Sequence, residues 1–291
     1  MLARRNPPIP SQIILEVSEI LARRGFQVEA SIAEEILIRP EHVEGAHDLY
    51  LLKSYTELSL SMAAILHARG ARLLNPYPAC AASRDKIVAA QHLYAAGIPA
   101  PRTWVTGDLT LLRPLVDEIP LIIKPYMGWR GGGIQVVRNQ RELAAVPAPE
   151  RPVVIQEYLA GTGEDLRLYI AGDQVFATRK PFSTASYAEP GRPASVSPEV
   201  REIALRCGRA FGLGLYGMDL IETSEGPKVV DVNYFPGYKG IPDAAYAVAD
   251  YIDRYANRQC DLQYSESSGT ETLAALGSFQ NFDPQHVWRN L

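Results

Sequence analysis

The stretch VVDVNYFPGYKG, residues 229 to 240, sets Asp231 and Asn233 two apart on a strand-like run, before a Pro-Gly break and Lys239. Side chains two apart on a strand share a face, so the acid and the amide point together. Asp219, in LYGMDLIE, lies on the preceding strand of the same expected hairpin. Two carboxylates and an amide oxygen form a hard, oxygen-only donor set suited to magnesium, which keeps part of its water and meets nucleotide phosphates. The same spacing also suits a plain strand end at which Asp219 caps a turn. From spacing alone both readings stand.

A second chemical signal is IIKPYMGWRGGG, where Lys124 ends an apolar strand and Gly131, Gly132 and Gly133 follow. Glycine lets backbone N–H groups approach a phosphate closely, and lysine supplies a compact positive charge. A ligand-free hairpin loop has the same composition, and the spacing does not fit the GxxxxGK[ST] phosphate loop. In VVIQEYL, Gln156 and Glu157 follow a buried strand, where a polar side chain and nearby backbone groups can meet a purine edge. Alone, that pair is equally a solvated strand end.

The elements that must hold these residues follow from periodicity. Residues 11 to 24 carry Ile13, Ile14, Val17, Ile20 and Leu21 at helical spacing and stop at Gly25. A strand at 47–53, a helix ending at Gly70 and a strand at 71–75 give a β-helix-β rhythm, which implies a parallel sheet with covered faces. A helix is predicted over 83–97, with Ser83 as N-cap, Asp85 in its first turn and Gly97 as its stop. Short strands then surround the glycine-rich turn. DLRLYIAGDQVFATRK reads as a hairpin turning at Gly172-Asp173, followed by a helix over 198–211. Strands at 215–222 and 227–233 turn at Ser224-Glu225-Gly226, a last helix covers 242–256, and a polar tail starts near 257.

Composition sets outer bounds. The chain has 291 residues, 47% hydrophobic and 21% charged, as an ordinary soluble globular protein does. A net charge of −4 supplies no pervasive basic field for nucleic acid. Cys80, Cys207 and Cys260 are scattered and odd in number, so neither a disulfide framework nor a CxxC metal site is expected. Prolines and Glu16 interrupt any apolar run near the N-terminus, which argues against a signal peptide or membrane span there. A cytoplasmic protein is expected.

Taken as an ordered series, Lys86, Lys124, the glycine loop, Gln156-Glu157, Arg167, Asp219, Asp231 and Asn233 resemble an ATP-grasp enzyme over roughly residues 45 to 256. The resemblance implies an α/β fold, α+β in its central and C-terminal parts, whose three domains clasp ATP between two sheets. It divides the chain into an N-terminal Rossmann-like pre-ATP-grasp domain (1–106), a central lid (107–160), a C-terminal metal-bearing part (161–256) and a tail (257–291). By position, Lys86 and Lys124 would hold phosphates, Gln156 to Tyr158 would form the adenine-side hinge, and Asp165 would approach the ribose. Asp219, Asp231 and Asn233 would hold one or two magnesium ions, with manganese as a substitute.

Two branches of this fold are resembled. The glycine loop is similar to that of the RimK-like amino-acid ligases, in which ATP phosphorylates a carboxylate and an amine attacks the acyl phosphate. LLKSYTE, NPYPACAASRDK and DVNYFPGYKG resemble the inositol trisphosphate 5/6-kinases. The histidine of their central loop is replaced here by Met127-Gly128-Trp129-Arg130, which puts the ligase outcome first. A non-catalytic nucleotide-binding protein is a third reading. In either branch Arg167 or Arg179 would stabilise the transferring group. Lys53, Arg130, Lys180 and Lys239, with Arg179, would face an anionic small-molecule or peptide acceptor.

Overall fold

A computed structural model describes residues 11–127, 133–181 and 191–262. Arg130, Gly131, Gly132 and most of the expected tail lie outside the described residues.

The N-terminal part contains the expected rhythm in a compressed form. Helix α1 (Gln12–Arg23) buries Ile13, Val17, Ile20 and Leu21, a stripe three and four residues apart. Strand β1 (Tyr50–Leu51) and strand β2 (Leu73–Leu74) pair in parallel around α2 (Glu57–Ala68). The helix expected over 83–97 is two helices, α3 (Tyr77–Arg84) and α4 (Lys86–Ala95). The break falls at Asp85, whose extended backbone ends α3 and whose carboxylate accepts from Ile87 N at 2.9 Å and Val88 N at 3.2 Å. Asp85 is therefore the N-cap, and Ser83 instead donates to Cys80 O at 3.1 Å inside α3. This correction puts Lys86 at the first residue of α4, with its N–H bonded to Tyr126 O at 3.2 Å.

The middle of the chain forms a four-stranded antiparallel sheet in the order β3-β6-β4-β5. Its strands are β3 (Thr103–Thr106), β4 (Leu121–Pro125), β5 (Gln135–Val137) and β6 (Val153–Glu157). Leu121, Ile123, Val153 and Ile155 build its core with Leu112 and Val116, below the short helices α5 (Arg113–Glu118) and α6 (Gln140–Ala144). β3 ends at Thr106, and its pairing with β6 puts it in this sheet.

A five-stranded antiparallel sheet follows, ordered β11-β10-β7-β8-β9. It comprises β7 (Glu164–Ala171), β8 (Gln174–Pro181), β9 (Arg192–Ala194), β10 (Leu215–Thr223) and β11 (Gly226–Tyr234). Gly172 makes the β7–β8 turn at φ 64, and a Cβ there would lie 2.5 Å from the Tyr251 ring. Glycine alone satisfies both conditions. One face of the sheet carries Leu166, Leu168, Ile170, Met218, Leu220 and Val232, all buried. Helix α7 (Pro198–Phe211) covers it, with Tyr216 Oη donating to Ala204 O at 2.7 Å.

Two contacts lock the N-terminal part onto this sheet. The fully buried Asn75 amide donates to Leu215 O at 2.7 Å and accepts from Gly214 N at 2.7 Å and Leu215 N at 3.0 Å. Helix α8 (Ala244–Ala256) packs on α1, where Arg24 reaches Asp250 and Asp253. The segment beyond α8 begins in contact with the core, because Cys260 and Leu262 are partly buried against it. Among the described residues no helix is long and apolar enough to cross a membrane.

Candidate active site

Strand alternation assembles the site on the face of the five-stranded sheet opposite α7. Directly paired residues share a face, so Asp165 and Lys180, Arg167 and Thr178, and Asp219 with both Arg167 and Asp231 all point the same way. Asn233 follows two residues after Asp231, and its amide donates to Asp231 Oδ2 at 2.9 Å. The reading of Asp231 and Asn233 as same-face neighbours matches the geometry. Asp219 and Asp231 are opposed acids, and each is met by a cation. Arg167 grips Asp219 through Nε to Oδ1 and through Nη2 to Oδ2 at 2.6 Å, while Lys86 Nζ lies 2.7 Å from Asp231 Oδ1.

The four-stranded sheet supplies the other wall. Lys124, at the end of β4, donates from Nζ to Gln156 Oε1 at 2.6 Å and to Val230 O at 3.5 Å. That carbonyl is presented by a register shift between β10 and β11, where Leu220 pairs with Val229 and Val230 is the extra residue. Gln156 in turn donates to Thr103 Oγ1 at 3.3 Å. Lys86, Lys124 and Asp231, drawn from three separate elements, thus meet at the seam of the two sheets.

Burial drives the electrostatics here. It lowers the Lys124 ammonium to about 8, opposed by Asp231 and assisted by Lys86. For Asp231 burial alone would raise the carboxyl, but Lys86 and then Lys124 hold it below its ordinary value. Asp165 is raised to about 6, by burial first and by Asp219 second. Lys180, itself buried, is lowered by desolvation and then by Arg167, with Lys239 close enough to add to the effect.

Other expected positions fall elsewhere. Arg179 pairs in register with Leu166 and so lies on the α7 face, where it forms a two-pronged ion pair with Glu222. Its guanidinium is committed away from Arg167 and Asp219. The Glu157 carboxylate turns to Arg102, accepting from Nε at 2.7 Å and from the backbone N at 3.1 Å. Tyr158 N bonds Pro120 O at 2.9 Å. Lys53 Nζ donates to Phe235 O at 2.7 Å and sits 5.3 Å from that ring's centroid, so it fastens the loop after β11. Gly133 is in the left-handed region at φ 76.

Sequence reasoning missed Asn75 and Thr103, which act through partners far along the chain. Asp85 was placed in the first turn of a helix and is instead the N-cap of α4.

Among the described residues no group of three His, Cys, Asp or Glu side chains is gathered for a metal. Two opposed carboxylates with an adjacent amide are present, and Lys86, Arg167 and, at longer range, Lys124 offset their charge. An oxygen-only set of this size fits a magnesium ion that takes its remaining ligands from water and phosphate.

Comparison with known proteins is consistent with this geometry. The chain is 31% identical over 209 residues to a probable alpha-L-glutamate ligase 1 of Shewanella denitrificans, spanning 65% of this chain and 71% of the relative. It is 29% identical over 265 residues to a probable alpha-L-glutamate ligase of Stutzerimonas stutzeri, spanning 82% and 87%. Among solved structures, a RimK domain protein from Sphaerobacter thermophilus superposes with a TM-score of 0.68 at 23% identity, covering 86% of this chain and 98% of the other. D-cycloserine synthetase DcsG superposes equally well, at 0.68 and 17% identity, covering 89% of this chain and 99% of that one. Residues 83–252, more than half of the chain, match the RimK-like ATP-grasp domain, and the chain belongs to that family.

Proposed function

We propose that this protein is an ATP-dependent carboxylate–amine ligase. The carrying observation is the convergence of Lys86, Lys124, Arg167, Asp219, Asp231 and Asn233 on one seam between two sheets. The names of its relatives, glutamate ligases, support ligation over phosphorylation of a hydroxyl.

ATP is held between the sheets, with Lys86 and Lys124 on its phosphates and Gln156 to Tyr158 on its adenine side. Asp219, Asp231 and Asn233 would hold one or two magnesium ions, or manganese, whose chemistry would be to neutralise phosphate charge. For this to happen Lys86 and Arg167 exchange their carboxylate partners for phosphate oxygens, so both cations are already in place. A carboxylate oxygen of the acceptor attacks the γ-phosphorus, the bond to ADP breaks, and Arg167 stabilises the equatorial charge. The attacking carboxylate is ionised and needs no base. An amine nitrogen then forms the amide bond, phosphate leaves with the acyl–oxygen bond pair, and the nitrogen loses a proton.

Lys180 and Lys239 face the acceptor, an anionic small molecule or peptide. Asp165 lies beside the ribose. The N-terminal, central and C-terminal parts act as the three bodies of the clasp, and the protein works in the cytoplasm. Product analysis tests the proposal: incubation with ATP, magnesium and pooled amino acids or acidic peptides yields an amide, ADP and free phosphate, whereas a stable phosphorylated acceptor overturns it in favour of a kinase.

A further inference from the structure

Lys86 is the first residue of α4, so the pose of that helix decides where its ammonium lies. Apolar packing fixes the pose weakly, because α4 buries only Ala89 and Leu93 whereas α7 buries six residues. The Asp85 carboxylate caps the backbone of α4 itself and orients it against nothing else.

Hydrogen bonds at the far end of the helix supply what packing does not. The last carbonyls of a helix have no partner within it, and a cation suits them. Arg206 of α7 donates from Nη2 to Ala96 O at 2.8 Å and to Gly97 O at 3.0 Å, just past the end of α4. In return His92 of α4 donates from Nδ1 to Ala210 O at 3.1 Å in the last turn of α7, and its ring stacks on Phe211 with centroids 4.9 Å apart. Each helix thus caps the other. Three residues past Ala96, Pro99 O accepts from Val229 N of β11 at 2.8 Å.

These ties close a circuit. α7 is bonded to β10 through Tyr216 Oη and Ala204 O, and β10 pairs with β11, which carries Asp231, the partner of Lys86. Both ends of α4 are therefore referred to the five-stranded sheet. A helix of ten residues is a rod about 15 Å long, so release at Ala96 displaces Lys86 at the other end.

We propose that Arg206 is a positioning residue for Lys86, holding α4 so that the Lys86 ammonium meets nucleotide phosphate oxygens between the sheets. The inference rests on the phosphate-holding role proposed above for Lys86, and it applies to a ligase and a kinase alike.

Titration calorimetry of the full chain with magnesium and adenylyl imidodiphosphate tests it in the Arg206→Ala, Lys86→Ala and double variants. Arg206→Ala should weaken binding about tenfold when Lys86 is present and by less than about twofold when it is absent. Arg206→Lys, which keeps the charge but not the two-carbonyl reach, should fall between wild type and Arg206→Ala; if Arg206→Ala does not fold, the Lys variant carries the same comparison. Unaltered binding in both Arg206 variants, or equal weakening with and without Lys86, overturns the inference and leaves the phosphate role of Lys86 standing. Unaltered binding in Lys86→Ala removes that role, and the inference falls with it.

Discussion

Asp219 and Asp231 stand directly opposite each other on β10 and β11, and each carboxylate is neutralised by a cation from a different element: Arg167 of β7 and Lys86 of α4. Opposed acids on adjacent strands repel unless something positive lies between them. On the function proposed above, the two cations would turn to phosphate and leave the carboxylates to hold magnesium.

The Asp231→Asn, Asn233→Ala double variant should lose measurable turnover while its far-ultraviolet circular dichroism stays that of wild type. Wild-type activity in the double variant would refute the metal assignment.

Arg167 and Arg179 should behave oppositely although both were expected to act on the transferring group. Arg167→Ala should lower kcat on the order of 10²-fold or more, as removal of a transition-state charge does. Arg179→Ala, facing α7 and paired with Glu222, should lower it less than tenfold and act on melting temperature instead. Steady-state kinetics beside thermal melts separate the two effects.

That pair also shows how much was legible. The turn at Gly172-Asp173 fixes the hairpin register, with Ala171 opposite Gln174 and therefore Arg167 opposite Thr178 and Arg179 opposite Leu166. Alternation carried around the turn would have put Arg179 on the apolar face. That Asp219, Asp231 and Asn233 share a face was readable because their spacing lies within one hairpin. The contact of Lys53 was not: its bond to the Phe235 carbonyl joins residues 182 apart, which no local spacing signals. The split of the predicted 83–97 helix was missed because Asp85 serves both as the end of α3 and as the cap of α4.

Lys53 and Lys239 give a third test. Lys239→Ala should raise the acceptor KM with little change in nucleotide affinity. Lys53→Ala should lower the melting temperature and reduce kcat through the loosened loop. A loss of ATP binding in Lys239→Ala would move that residue out of the acceptor pocket.

Lys124 sets a pH dependence. With its ammonium lowered to about 8, the folded protein keeps the charge below that value and loses it above, whereas the unfolded chain stays charged to its ordinary higher value. Stability from this group therefore rises between about 8 and the ordinary lysine value. Nucleotide affinity should move the other way, falling as pH rises through about 8, and titration calorimetry should show that dependence lost in Lys124→Met.

The most direct test of the central claim is mass spectrometry of the products formed from ATP, magnesium and two acceptor pools, one of amino acids and short acidic peptides, the other of inositol phosphates and polyols. The account predicts an amide product from the first pool, with ADP and free phosphate in equal amount. An acceptor from either pool that keeps a phosphoryl group would contradict it.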